Sequence, residues 1–315
     1  MNSSIDNTVM LVEVARLYYD HHFSQQQIAQ KLGISRPGVS RMLSQAREQG
    51  IVRIEVFDPS ENGKQMETDL QRKFRLKKVI IVPDEGVEPA VIKQRLGMAA
   101  AKYLDMMIGD GFTLGVSWGS TMQEVVKHLQ PKRLKNMTVV QLVGGFTKAE
   151  YDPQASEITK QIGENYQAIP FLLPLPAIVD HADVKQAILS DKNISRALEL
   201  ARRAEMALFS VGSFDTDSVL VKAEYIEKKE VEFLLKRRAV GDICSRIITD
   251  TGEICWPELD ARTIGIELTD LHKKPFTIAV AGGQKKLKAI HAGLLGQYFN
   301  VLITDEGIAR QLMGY

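Results

Sequence analysis

From Lys78 onward this 315-residue chain repeats one pattern: a short apolar run rich in β-branched residues, a glycine- or serine-bearing turn, then a stretch of helical period. The runs fall at residues 79–82, 112–116, 138–142, 207–211, 277–281 and 301–304. Runs that are apolar on both faces and separated by helices cannot pair as hairpins. They specify a mostly parallel sheet with helices covering both of its faces. No repeat of a few tens of residues and no low-complexity tract interrupts the region, which excludes a solenoid or a string of small modules.

In such a sheet ligands gather beyond the carboxyl ends of the strands, where loops lead into helix N-termini and backbone N–H groups point at an anion. The loops that follow the runs carry Gly115-Val-Ser-Trp-Gly-Ser-Thr121, Gly144-Gly145, Gly212-Ser213 and Gly282-Gly283. In the first, Ser117, Ser120 and Thr121 supply hydroxyls, Gly119 admits a close backbone approach, and a helix is expected over 121–129; the set suits a phosphate or a polyol. Trp118 can stack on a sugar face or plug the loop against the sheet. Lys285, two residues past Gly283, can add a point charge for an anion, with Lys286 and Lys288 beside it as solvated neighbours. Asp242, and Asp260 with Arg262, are polar residues near further strand or loop ends, where the carboxylates can accept from sugar hydroxyls or serve as surface caps. None of these loops matches a dinucleotide or P-loop fingerprint, so the argument rests on their convergence.

The first sixty residues read differently. Ser24 can cap a helix with Gln27 reaching back as its capping-box partner, and Ile28, Ala29 and Leu32 give that helix a buried face. Gly33 tolerates the positive φ of a tight turn, Ser35 caps a second helix with Pro37 in its first turn, and Val39, Leu43 and Ala46 point inward. This is a helix-turn-helix, the arrangement that lays its second helix in the DNA major groove. Arg36 and Arg41 are then the leading candidates for base or phosphate contacts, with Ser24, Gln25, Gln26, Ser35, Pro37 and Ser40 as the remaining surface. Residues 50–57 can form a strand or wing from which Arg53 reaches a phosphate.

Acidic and basic side chains balance over residues 1–58, so a single copy has no strong nonspecific field for DNA. Binding is expected to gain from pairing of copies on adjacent half-sites, which implies a dimer or larger assembly. Residues 59–77 read as a charged helix carrying Met66, Leu70 and Phe74 at helical spacing, a connector between a DNA-binding domain (1–58) and an α/β domain (78–315). Apolar residues make up 44% and charged residues 25% of the chain, with no leader-like segment and no stretch long enough to span a bilayer, so cytoplasmic residence without membrane association is expected. Cys244 and Cys255 lie in a region that reads strand, turn, strand and lack zinc-like spacing, so buried thiols, no metal and no cofactor are expected.

Taken together, Tyr18-Tyr19 ahead of Ser24-Gln-Gln-Gln-Ile-Ala29, Ile34-Ser-Arg-Pro37 with Val39-Ser-Arg41, the 115–121 loop, Val240-Gly-Asp-Ile-Cys244, Asp260-Ala-Arg-Thr-Ile-Gly265 and Val280-Ala-Gly-Gly283 resemble the bacterial SorC family of sugar-responsive transcriptional regulators. The resemblance implies an α/β chain with an N-terminal helix-turn-helix domain and a larger doubly wound effector domain similar to sugar-phosphate isomerases. It also implies assembly as a dimer of dimers and control by a sugar or sugar phosphate, here of the sorbose or sorbitol class. By resemblance the effector contacts are Ser117, Gly119, Ser120, Thr121, Gly144, Gly145, Gly282, Gly283 and Lys285, and the DNA contacts Ser35, Arg36, Pro37, Ser40 and Arg41. Relatives that hold an open-chain sugar covalently have a lysine just before the glycine pair; Val143 stands there in this chain, so a Schiff base at that place is not available.

The expectation is therefore a non-enzymatic regulator of a carbohydrate operon with operator DNA and a small sugar as partners. The alternative is a sugar-phosphate isomerase or deaminase with an accessory N-terminal module, in which Asp242 or His291 would have to act as general base.

Overall fold

The computed structural model describes residues 2–19, 21, 23–52, 59–85, 87–145 and 155–315. The chain divides into two units, Met1–Pro59 and Ser60–Tyr315.

In the first unit three helices, α1 (Asn2–Tyr19), α2 (Gln25–Leu32) and α3 (Arg36–Glu48), enclose a small core of Val14, Leu17, Ile28, Val39 and Leu43. The Ser24 hydroxyl accepts from the Gln27 N–H at 3.3 Å while the Ser24 N–H donates to Gln27 Oε1 at 2.9 Å, the reciprocal box that its spacing predicts. Gly33, at φ 65°, turns the chain into α3, where Ser35 Oγ accepts from the Gly38 N–H at 3.2 Å. A residue with a side chain would be strained at Gly33, so the turn between the two helices depends on glycine. Of the wing expected over 50–57, residues 53–57 lie outside the described residues, and with them Arg53.

The second unit opens with α4 (Pro59–Phe74), over the stretch read as a charged helix. Leu70 is buried in the main core, with Met66 and Phe74 packed against it. A seven-stranded sheet follows, built from β1 (Lys78–Val82), β2 (Thr113–Val116), β3 (Thr138–Gln141), β4 (Ile169–Phe171), β5 (Met206–Phe209), β9 (Phe276–Val280) and β10 (Val301–Asp305) in the order β1-β10-β9-β5-β2-β3-β4. Every neighbouring pair is parallel. One edge is capped by the preceding helix: Glu67 Oε1 accepts from the Ile81 N–H at 3.0 Å, blunting a strand that would otherwise offer free donors. Two large apolar clusters cover the two faces of this sheet, and α5 (Pro89–Met107) with α6 (Ser120–Lys127) contributes to one of them.

Two features depart from the sequence reading. The run 207–211 is divided at Ser210: β5 stays in the parallel sheet, while β6 (Val211–Ser213) leaves it to pair antiparallel with β7 (Ala239–Ile243), which in turn pairs with β8 (Arg246–Thr249). The edge strand β4 was not anticipated, because it is three residues long, contains Pro170 and buries little.

Candidate functional site

Strands β2, β3 and β4 step from the centre of the sheet to one edge, whereas β5, β9 and β10 step the other way. The reversal lies between β2 and β5, and the crevice beyond their carboxyl ends is where an open α/β sheet binds ligands. A cavity opens there. Its walls are Ser117–Thr121 after β2, Val143 after β3, Ser210 and Gly212 after β5, Val219 and Leu220, the Asp242-to-Ser245 turn of the small sheet, and Lys286.

Its lining is mixed. Trp118, Val143, Val219, Leu220 and Cys244 are its apolar members, and the Trp118 Nε1–H donates to the Gly144 carbonyl at 2.8 Å, which fixes the indole in place. A carboxyl and an ammonium line it as well. Burial pushes the Asp242 carboxyl up to about 6, against the opposing pull of the Ser245 N–H and the Lys286 charge. Burial likewise brings Lys286 down to about 8, with Asp242 favouring and Lys93 disfavouring its charge. Lys286 Nζ donates to Ser210 Oγ at 3.2 Å, and Asp242 Oδ2 accepts from the Ser245 N–H at 3.2 Å. Gly212 is what makes room for the carboxyl, since a Cβ there would overlap Asp242 Oδ1.

A second cavity shares Ser120, Thr121 and Lys286 with the first and is otherwise walled by Pro89, Ile92, Lys93, Leu96, Gly282 and Gly283. Lys93 Nζ donates to Ser120 Oγ at 3.0 Å. Two lysines and no carboxylate line it, at the start of α6, where no side chain caps the first N–H groups. That combination favours an anion.

The cavities bring together Ser117, Trp118, Gly119, Ser120, Thr121, Asp242, Gly282 and Gly283. They do not include Gly144 and Gly145, whose backbones are spent on the fold: the Gly144 carbonyl holds Trp118, and the Gly145 N–H donates to the Leu175 carbonyl at 2.8 Å. Lys285 is exposed and outside both walls, and the next residue, Lys286, takes the place expected of it. The reason is local, because the turn Gln284–Lys286 is a 3-10 turn and its third residue, not its second, faces the cavities. Asp260 is also elsewhere, paired at 2.5 Å with the fully buried Arg246. Ser210, Val219, Leu220, Ser245 and Lys93 are cavity residues that the sequence did not single out, and Cys244, expected only as a buried thiol, joins them; they come from the junction of the two sheets, from the short helix Val219–Lys222, from the small sheet and from α5. His291 lines neither cavity; it stacks on Tyr315 at 3.9 Å and meets Phe74 edge-on.

On the first unit, Val39, Leu43 and Ala46 turn inward and leave Ser35, Arg36, Pro37, Ser40 and Arg41 exposed along one side of α3. Gln26 is exposed on α2 and Gln25 half-buried, while the exposed Ser24 hydroxyl is engaged as the cap. Among the described residues no cluster of His, Cys, Asp or Glu is placed to hold a metal ion, and no helix is long and apolar enough to cross a membrane.

Comparison with known proteins follows the same division. Residues 58–314 match the sugar-binding domain family and residues 10–60 the Crp-like helix-turn-helix domain. The chain is 42% identical over 302 residues to the deoxyribonucleoside regulator of Bacillus subtilis, covering 96% of each chain. It is 28% identical to the sorbitol operon regulator of Klebsiella pneumoniae, covering 98% of each. The crystal structure of the full-length Klebsiella pneumoniae sorbitol operon regulator superposes with a TM-score of 0.74 at 27% identity, covering 97% of this chain and 98% of that one.

Proposed function

The chain belongs to the SorC family of sugar-binding, helix-turn-helix transcriptional regulators, and from that premise we propose that its effector is a deoxypentose or its phosphate, held in the crevice between the two sheets. The observation that carries this reading is the mixed lining of the cavity, in which Trp118, Val143, Leu220 and Cys244 stand among its polar groups. Sorbose and sorbitol carry an oxygen on every carbon, whereas a sugar lacking a hydroxyl offers a carbon to such apolar lining, and the 42% identical relative is named for deoxyribonucleosides. Asp242 then accepts from a sugar hydroxyl, and Lys286, Lys93 and the first N–H groups of α6 face the phosphate.

The protein acts in the cytoplasm as a homo-oligomer, a dimer of dimers, with Arg36 and Arg41 reading operator DNA and effector binding altering its affinity through α4. The sugar is bound and not converted, a reading supported by the relatives, which are named as regulators.

The test is a fluorescence-anisotropy titration on the DNA upstream of the protein's own gene, at fixed salt, with and without 2-deoxyribose, ribose, sorbose, sorbitol and their phosphates. A deoxypentose or its phosphate is expected to shift the curve. Lys286→Ala is expected to remove that shift without changing affinity in its absence, and Lys285→Ala to keep it. DNA binding indifferent to every sugar, or an isomerised product found in the mixture, overturns the reading.

A further inference from the structure

The two residues at the tip of the β7–β8 hairpin, Cys244 and Ser245, both sit in the left-handed region, at φ 50° and 64°. They are flanked by the directly paired Ile243 and Arg246, so the loop has two residues. Two-residue hairpins of this shape favour Asn-Gly or a similar pair, because each position needs positive φ. Here neither is Asn, Asp or Gly, and such conformations persist in non-glycine residues only where the surroundings enforce them. They do: Arg246, 0% exposed in its side chain, is anchored to Asp260 and Glu267 at 2.5 and 3.0 Å, and the Ser245 N–H is tied to Asp242.

Cys244 packs into the main core, but the Ser245 side chain gives the fold no hydrogen bond to repay the strain. Ser245 is 1% exposed and its Oγ has no hydrogen-bond partner among the described residues, although it stands in the cavity wall. A buried hydroxyl without a partner costs stability, and a ligand hydroxyl would supply one. Cys244 is a buried free thiol in the same wall and behaves as a small apolar group.

We propose that the Cys244–Ser245 turn is the element that reads the sugar's hydroxyl pattern, Ser245 Oγ bonding a hydroxyl that the effector has and Cys244 packing against the carbon where a hydroxyl is missing. This rests on the crevice being the effector site and adds which residues discriminate within it. It separates a 2-deoxypentose from its hydroxylated counterpart by one contact each.

The test is calorimetric titration of the full-length protein with 2-deoxyribose 5-phosphate and ribose 5-phosphate, with thermal melts of each variant without ligand. Ser245→Ala removes a hydroxyl that has no partner in the free protein, so its melting temperature is expected to be unchanged or raised, while deoxyribose phosphate binds about three- to tenfold more weakly, as for one lost hydrogen bond. Cys244→Ser is expected to narrow the preference for the deoxy sugar. Ser245→Gly relieves the positive φ of that position and is expected to melt no lower than the wild type while binding deoxyribose phosphate as weakly as Ser245→Ala, the opposite of what a purely structural role would give. Wild-type affinity in Ser245→Ala and in Ser245→Gly overturns the role of the turn and leaves the crevice reading standing. Failure of the wild-type protein to bind either sugar phosphate overturns both.

Discussion

At the scale of single residues, the carboxyl of Asp242 is displaced by its surroundings within a pH range where stability can be measured. Its rise from 3.8 to about 6 means the folded protein holds that proton more tightly than the unfolded chain does. The associated stability is fully present below pH 3.8 and is lost as pH rises through about 6. Its size is up to about 3 kcal/mol. Asp242→Asn is therefore expected to gain stability relative to the wild type between pH 4 and 6, read as a widening difference in urea midpoint, while losing affinity for the effector. A constant difference across that range would mean the carboxyl is not held protonated. Asp242 was legible as a candidate from its place near a strand end. Lys286 was not distinguished from Lys285, because two adjacent lysines are equivalent in a sequence and only the 3-10 turn separates the exposed one from the half-buried one.

At the scale of elements, the helix-turn-helix was the most legible part. Ser24, Gln27, Gly33, Ser35 and Pro37 each do a local job within a few residues, and short-range geometry is what a sequence displays most directly. Because Ser35 caps α3 by a single hydroxyl, Ser35→Ala is expected to cost about 1 kcal/mol of stability in the first unit. The same change should lower DNA affinity beyond that if Ser35 also meets phosphate, and a thermal melt beside a DNA titration separates the two effects. The six short apolar runs were legible for a similar reason, as strands buried on both faces must be apolar throughout. The division at Ser210 was hidden, since Phe209 and Val211 read as one run although they belong to different sheets. The small sheet's share of the cavity was hidden with it, because antiparallel pairing of β6 with β7 joins residues some thirty positions apart.

At the scale of the whole molecule, the protein has two tasks in two units, and their coupling is a matter of linkage, not of distance. Whatever factor the effector imposes on operator affinity, operator DNA must impose on effector affinity. Typical couplings of about 1 to 3 kcal/mol correspond to roughly five- to 150-fold. Titrating the effector into free protein and into the protein–DNA complex is expected to give the same ratio as titrating DNA with and without effector; unequal ratios would point to a third state, such as a change in assembly.

The crevice has one more consequence. Its walls belong to two sheets joined directly only through Ser210, with the 117–121 loop on the parallel sheet and Asp242, Cys244 and Ser245 on the antiparallel one. A sugar lodged there is a removable staple between them. At a concentration 100 times its dissociation constant it adds about 2.7 kcal/mol to the folded state, and the small sheet is where the added protection from hydrogen exchange is expected to concentrate.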